Sequence, residues 1–198
     1  MALKLLLISL FGLNLIACHP AASLAFEREK EPYVAETGYV VQGRFLHFYE
    51  AYGGAANLGQ PLSGEISAEG WQVQYFEKGR LEYHPENEPA YQVTVGWLGE
   101  LLHRRRPPIP PVEIPAANLP SHHYYPQTGH TLSGAFLDYF DRHGGTVRFG
   151  LPISEPFFLE GRLTQDFQSA RFFWTPQAAE AVTLENIGQV YLAELQQK

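Results

Sequence analysis

The sequence predicts an α+β fold of two tandem repeats, each a short helix followed by a small antiparallel β-meander. Three observations carry this reading. The stretch "ETGYVVQGRFLHFYEAYGGAANLGQPLSGE" from Glu36 recurs as "QTGHTLSGAFLDYFDRHGGTVRFGLPISEP" from Gln127. Each copy opens with apolar residues at helical spacing and stops them at a double glycine. Each then runs into short segments of strand-forming residues separated by turn residues.

The copies are offset by 91 residues, with no gap through Pro85 and Pro176, and sixteen of the 49 positions from Thr37 to Pro85 are identical. Unrelated chains would share roughly three. Duplication explains the excess. The retained residues are mostly glycine, proline and core apolar side chains, so backbone geometry and packing are what both copies kept. Gly53, Gly54, Gly59 and Pro61, with their counterparts Gly144, Gly145, Gly150 and Pro152, are read as structural, as are Arg80 and Arg171.

In order along each copy, "GRFLHFYEAYGG" places Phe45, Leu46, Phe48, Tyr49 and Tyr52 on one broad helical face. Ser133 is the expected N-cap of the second such helix. "NLGQPLSGE" and "RFGLPISEP" follow as tight loops. Strands are expected at "WQVQYFE" and "RLEYH" in copy one and at "RLTQDFQ" and "ARFFWT" in copy two. A further strand and a short helix or extended end are expected at "YQVTVGWLGELL" and "AVTLENIGQVYLAEL". Between the copies, "RRRPPIPPVEIPAANLPSHH" has too much proline for helix or interior strand and is expected as a partly stiff extended connector. Its basic run, "HRRRPP", reads as the solvated end of a linker. The two units are expected to dock, because each carries more aromatic surface than so small a body can hide.

The resulting organisation is a signal segment at 1–17, a tether at 18–32, repeat one at 33–102, a linker at 103–123 and repeat two at 124–198. The N-terminus "MALKLLLISLFGLNLIAC" has a basic start, an apolar stretch too short to span a bilayer and a small residue before Cys18. It resembles a bacterial lipoprotein signal, with Leu15, Ile16, Ala17 and Cys18 in the lipobox positions. That implies acylation of Cys18, the only cysteine, and a membrane-anchored extracytoplasmic protein.

The formal charge of −7 argues against a nucleic-acid partner, which would need a basic face. No nucleotide, cofactor or metalloprotease motif occurs, so no cofactor and no metal are expected. The segment "YFEKGRLEYHP" in copy one holds enough chemistry for an active site, but copy two reads "DFQSARFFWTP". Glu77, Glu82 and His84 become Gln168, Phe173 and Thr175, none of which can exchange protons near neutral pH. The segment is therefore read as a hairpin in which Phe76, Leu81 and Tyr83 pack while Glu77, Glu82 and His84 stay mostly wet. Arg80 and Arg171 are each expected to pair with a carboxylate of their own repeat and tie helix to hairpin. Glu69/Glu160 and Glu50/Asp141 are the positions acidic in both copies.

The aromatics Trp71, Tyr75, Tyr83, Trp97 and Trp174 are the candidate ligand contacts, because flat rings stack on sugar faces; the alternative is that they fill the contact between lobes. These residues and their order resemble the LGFP-repeat family of bacterial envelope proteins. Leu58, Gly59 and Pro61 match its loop, as Phe149, Gly150 and Pro152 do less closely. Phe76, Gly79, Leu81, Tyr83 and Pro85, and Phe167, Phe172, Phe173, Trp174, Thr175 and Pro176, match its strand motif, with Ala170 in place of the glycine. Gly96 and Gly188 take its last position. The resemblance implies attachment to cell-wall polysaccharide or an envelope protein and supplies no catalytic residue. The leading expectation is a lipid-anchored, non-catalytic glycan- or partner-binding protein. The alternatives are an envelope hydrolase using Glu82 and His84, and an accessory lipoprotein subunit of a membrane complex.

Overall fold

A double glycine sets the local architecture twice. In the computed structural model, which describes residues 30–176, 178 and 180–197, Gly53 and Gly144 hold φ angles of 86° and 105°, a left-handed conformation that side-chain-bearing residues adopt only at a cost. Each ends one helix and opens a second, five-residue helix across a sharp bend. The chain runs β1 (Tyr33–Val34), β2 (Val40–Val41), α1 (Gly43–Ala51), α2 (Gly54–Leu58), β3 (Ile66–Ala68), β4 (Trp71–Phe76), β5 (Gly79–Tyr83), β6 (Val93–Val95) and α3 (Leu98–Leu101). It continues through β7 (His122–Tyr125), β8 (His130–Ser133), α4 (Gly134–Arg142), α5 (Gly145–Phe149), β9 (Phe157–Leu159), β10 (Arg162–Asp166), β11 (Arg171–Trp174), β12 (Val182–Leu184) and α6 (Ile187–Leu195). The mixture of helix and antiparallel sheet is the expected class. The short helices α2 and α5, expected as loop, are an addition: one turn of "GAANL" is too brief to show a period.

The strands form two four-stranded antiparallel meanders, β3-β4-β5-β6 and β9-β10-β11-β12, and two small hairpins, β1-β2 and β7-β8. Ser133 stands at the N-cap of α4 but makes no side-chain cap bond. β7 begins at His122, inside the stretch expected as linker. α1 buries Phe45, Leu46 and Tyr49 against Phe76, Leu81 and Val95 of the first meander. α4 buries Phe136, Leu137 and Phe140 against Phe167 and Phe172 of the second.

Polar side chains fix the loop after each short helix in matching ways. Gln74 Nε2 donates to Val40 O and Ser63 O, and Gln165 Nε2 donates to Thr131 O and Ser154 O. Glu77 Oε2 accepts from Gln60 N–H at 3.0 Å, and Gln168 Oε1 accepts from Leu151 N–H at 2.9 Å. Glutamate and glutamine are interchangeable there because the backbone asks only for an acceptor oxygen. Gly59 and Gly150 let that side chain approach: an added Cβ would lie 2.5 Å from Glu77 Cβ and 2.6 Å from Gln168 Cβ. Pro61 and Pro152 bridge to Phe76 and Phe167 beside them.

The two meanders dock by exchanging their last helices. Gly99, in α3, donates its N–H to Gln168 O at 2.8 Å; Gly188, in α6, donates its N–H to Glu77 O at 2.9 Å. Gly99 is thus the counterpart of Gly188, which corrects the assignment of Gly96 from motif order. A third core forms between the halves from Val73, Tyr75, Leu98, Leu102, Ile187 and Tyr191. Burying Leu98 and Ile187 completely is worth about 1.5–3 kcal/mol each. Arg148 crosses the same boundary, fully buried, and donates from Nη2 to Asn57 O and Lys78 O at 3.0 and 2.9 Å. Burial pushes its guanidinium down to about 10, so it stays charged at neutral pH.

The basic run after α3 is exposed at His103, Arg105 and Arg106, as expected of a linker end, but it is also tied to the second half. Arg104 pairs with Glu185, the Arg106 N–H donates to Ile153 O, and the Arg106 guanidinium lies 3.6 Å from the centre of the Phe157 ring. Cys18 and the expected signal and tether up to residue 29 lie outside the described residues. Among the described residues no helix is long and apolar enough to cross a membrane.

Candidate ligand-binding cleft on the first meander

Alternation along β4 and β5 sends Phe76 and Leu81 toward α1, and Trp71, Val73, Tyr75, Arg80 and Glu82 to the opposite face. α6 covers part of that opposite face, so both sides of β5 are shielded. Glu82 is consequently only 8% exposed, which corrects the expectation that it stays wet. What α6 leaves uncovered is a cleft of 370 Å³. Glu69, Trp71, Arg80, Glu82, His84 and Trp97 are among the residues that line it.

Its polar floor is a connected network. Arg80 donates from Nε to Glu82 Oε1 at 2.8 Å, pairs with the same oxygen through Nη2, and reaches Glu69 Oε2 at 3.2 Å and Tyr75 Oη at 3.1 Å. His84 Nε2 lies 3.0 Å from Glu82 Oε2, and its Nδ1 lies 3.2 Å from Glu86 Oε1. The Tyr191 hydroxyl donates to Glu69 Oε1 at 3.1 Å. The hydrogen bonds of Arg80 hold the Glu69 carboxyl below its ordinary value, against partial burial, with the guanidinium charge and the Tyr191 bond acting in the same direction. Burial alone would lower the Arg80 guanidinium, but Glu69, Tyr75 and Glu82 raise it above its usual range.

The expected arginine–carboxylate pairing is therefore present in both halves with different ties. Arg80 joins the β3–β4 turn to β5, not helix to hairpin. Arg171 pairs with Asp166, at 2.6 Å, and with Glu185, while Glu160 reaches only Arg162, at 4.0 Å and exposed.

Of the aromatic candidates, the cleft gathers two. Trp71 packs on His84 with centroids 4.1 Å apart and the rings tilted by 42°, and Trp97, 56% exposed, stands at the rim just before α3. Tyr75 is 3% exposed and packs on Tyr191, so it is a core residue. Tyr83 lies on the other face of the meander under the Arg44 guanidinium, 4.0 Å from its ring centre. Trp174 packs against the second core. Asn87 and Thr94 also line the cleft and went unnoticed in the sequence. Their signal is weak, since it is the pairing of β6 with β5, Thr94 opposite Glu82, that brings Thr94 to the cleft. Among the described residues no group of three or more His, Cys, Asp or Glu side chains is arranged to hold a metal ion.

No model of a known protein family matches the chain, and no curated protein matches it. The resemblance to LGFP repeats rests on its motif residues alone.

Proposed function

We propose that the protein is a lipid-anchored, extracytoplasmic, non-catalytic binding protein, made of two docked copies of one α+β unit, which holds an envelope glycan in the cleft of the first copy. The observation that carries this reading is the placement of Trp71 and the exposed Trp97 around a rigid, hydrogen-bonded floor of Glu69, Arg80, Glu82 and His84. Aromatic faces take the apolar faces of a sugar ring, and fixed polar groups take its hydroxyls. Support for a non-catalytic role comes from the floor itself. Glu82 Oε1 is committed to two guanidinium donors, and Glu69 is held in its charged form at neutral pH, so neither is placed as a general acid.

The test is retention of the full chain, purified in detergent, on isolated cell wall and peptidoglycan. Trp97→Ala and Trp71→Ala are expected to weaken retention about tenfold each, the equivalent of about 1.4 kcal/mol. Equal retention of both variants, or capture of a soluble partner with no glycan bound, refutes the proposal. A second reading, glycan hydrolysis, is favoured by one contact, His84 Nε2 against Glu82 Oε2 in an open cleft. Release of reducing ends by the wild type, abolished in Glu82→Gln, selects that reading instead.

A further inference from the structure

The cleft does not end at Trp97. Thr94, Val95 and Trp97 also line a groove of 290 Å³ on the other side of β6. That groove shares Phe48, Tyr52, Ala90 and Val93 with a third depression of 300 Å³. The three form one path around the edge strand of the first meander.

The middle groove differs from the cleft in chemistry. None of the residues lining it carries a charge. Its surface is aromatic and aliphatic: Tyr91 is 61% exposed, Phe48 and Tyr52 stack with centroids 4.4 Å apart, and Val147 is exposed on the opposite wall. That wall belongs to the second half, through Thr146, Val147 and Ser169, and Ser169 Oγ donates to Val95 O at 3.3 Å across the boundary. The groove therefore exists only when the halves are docked. At the far end the lining turns polar again, with Arg44, His47 and the Tyr83 ring.

A ligand following this path is long, uncharged in its middle and able to present flat apolar faces in succession, with hydrogen-bonding groups at both ends. Resting on the glycan-binding reading above, we infer that the ligand is a linear, neutral polysaccharide strand longer than a disaccharide, running from the cleft over Trp97 and past Tyr91 toward Arg44. The docking of the two halves then has a binding role, since the second half supplies one wall of the central subsite.

The experiment is a length series of β-1,4-linked N-acetylglucosamine oligomers, dimer to hexamer, titrated into the full chain in detergent, with an extended uncharged apolar peptide as a control. Affinity is expected to rise at least tenfold from dimer to hexamer. Tyr91→Ala, a truncation at an exposed position, should lower hexamer affinity about tenfold and leave dimer affinity unchanged, whereas Trp97→Ala should weaken both. Dimer binding that depends on Trp71 and Trp97, with no gain on lengthening and no effect of Tyr91→Ala, overturns this inference and leaves the cleft reading intact. Failure of every oligomer to bind removes both. Binding of the peptide alone, sensitive to Tyr91→Ala, replaces the glycan by a polypeptide and also overturns it.

Discussion

The face of the first meander that carries Arg80 is open where α6 does not cover it, and the corresponding part of the second is covered. On the first, Trp71 and Trp97 stand beside an ion-paired floor and Tyr39 and Ile66 are exposed. On the second, the positions matching Tyr39 and Ile66 are His130 and Phe157, and the chain leaving α3 lies over both. His130 Nε2 is 3.1 Å from Arg106 O, the Arg106 guanidinium covers Phe157, and Ile109 donates its N–H to Gly129 O. Arg162 closes over Phe173 at 3.8 Å where the first half has Trp71 and Glu82. The two meanders thus differ in what lies over matching faces: on the second the connector adds its cover, and on the first that position is left to solvent.

The largest expected effect separates the halves that make this comparison possible. A Cβ at Gly188 would lie 1.9 Å from Phe76 O, and one at Gly99 would lie 2.1 Å from Phe167 O. Backbone against backbone cannot yield by a rotamer change, so either helix must lift from the opposite meander. Gly188→Ala is expected to destabilise by about 3 kcal/mol or more, with Gly99→Ala close behind. Urea unfolding followed by tryptophan fluorescence checks this. A wild-type midpoint in both variants would mean that the exchange of helices does not hold the halves together.

Much of this architecture was legible in the sequence, and the illegible parts share a cause. The strands β4, β5, β10 and β11 follow their local alternation, and α1 and α4 follow their period and stop at the double glycine. The burial of Glu82 did not follow, because alternation says which residues share a face and not whether another segment covers it. Here α6, more than a hundred residues away in sequence, does so. The same ignorance of tertiary cover groups Tyr75 and Trp174 with Trp71 and Trp97, and hides that Arg104 and Arg106 are tied to the second half. Gly99 was missed because its role is a close approach to a distant carbonyl. The replacement of Glu77 by Gln168 looked like lost chemistry and is a conserved acceptor.

A smaller contrast lies in the paired arginines. Arg171→Met would strand Asp166, whose side chain is 1% exposed, and is expected to cost about 3–5 kcal/mol. Arg80→Met leaves the buried Glu82 still beside His84, and Glu69 half exposed, so a loss of about 2 kcal/mol is expected. Thermal melting of the two variants in parallel gives the order. If Arg80→Met proves the more damaging, the open floor is the more tightly integrated of the two, contrary to the geometry.

The smallest effect is in acid. Glu69 in the open half is held below its ordinary carboxyl value chiefly by its hydrogen bonds from Arg80. For Glu155 in the covered half, burial alone would raise the carboxyl, but the hydrogen bonds from His130 and Thr131 outweigh it and the net shift is also downward. A carboxylate with a lowered folded pKa adds stability above its unfolded value, near 4.5, and loses that contribution as pH falls through the folded value. The urea midpoint is therefore expected to be insensitive to these two groups from pH 7 to about 5.5 and to fall below about pH 4.5. Glu69→Gln should remove only about 0.5 kcal/mol at pH 7, since half of that side chain is in water and screened. Glu155→Gln should flatten the acid limb more strongly, because Glu155 also accepts the Thr131 N–H at 2.8 Å and its side chain is 36% exposed against 48% for Glu69. An acid limb left unchanged by Glu155→Gln would show that the bonds from His130 and Thr131 do not strengthen this carboxylate, and the distinction between covered and open halves would then be one of access alone.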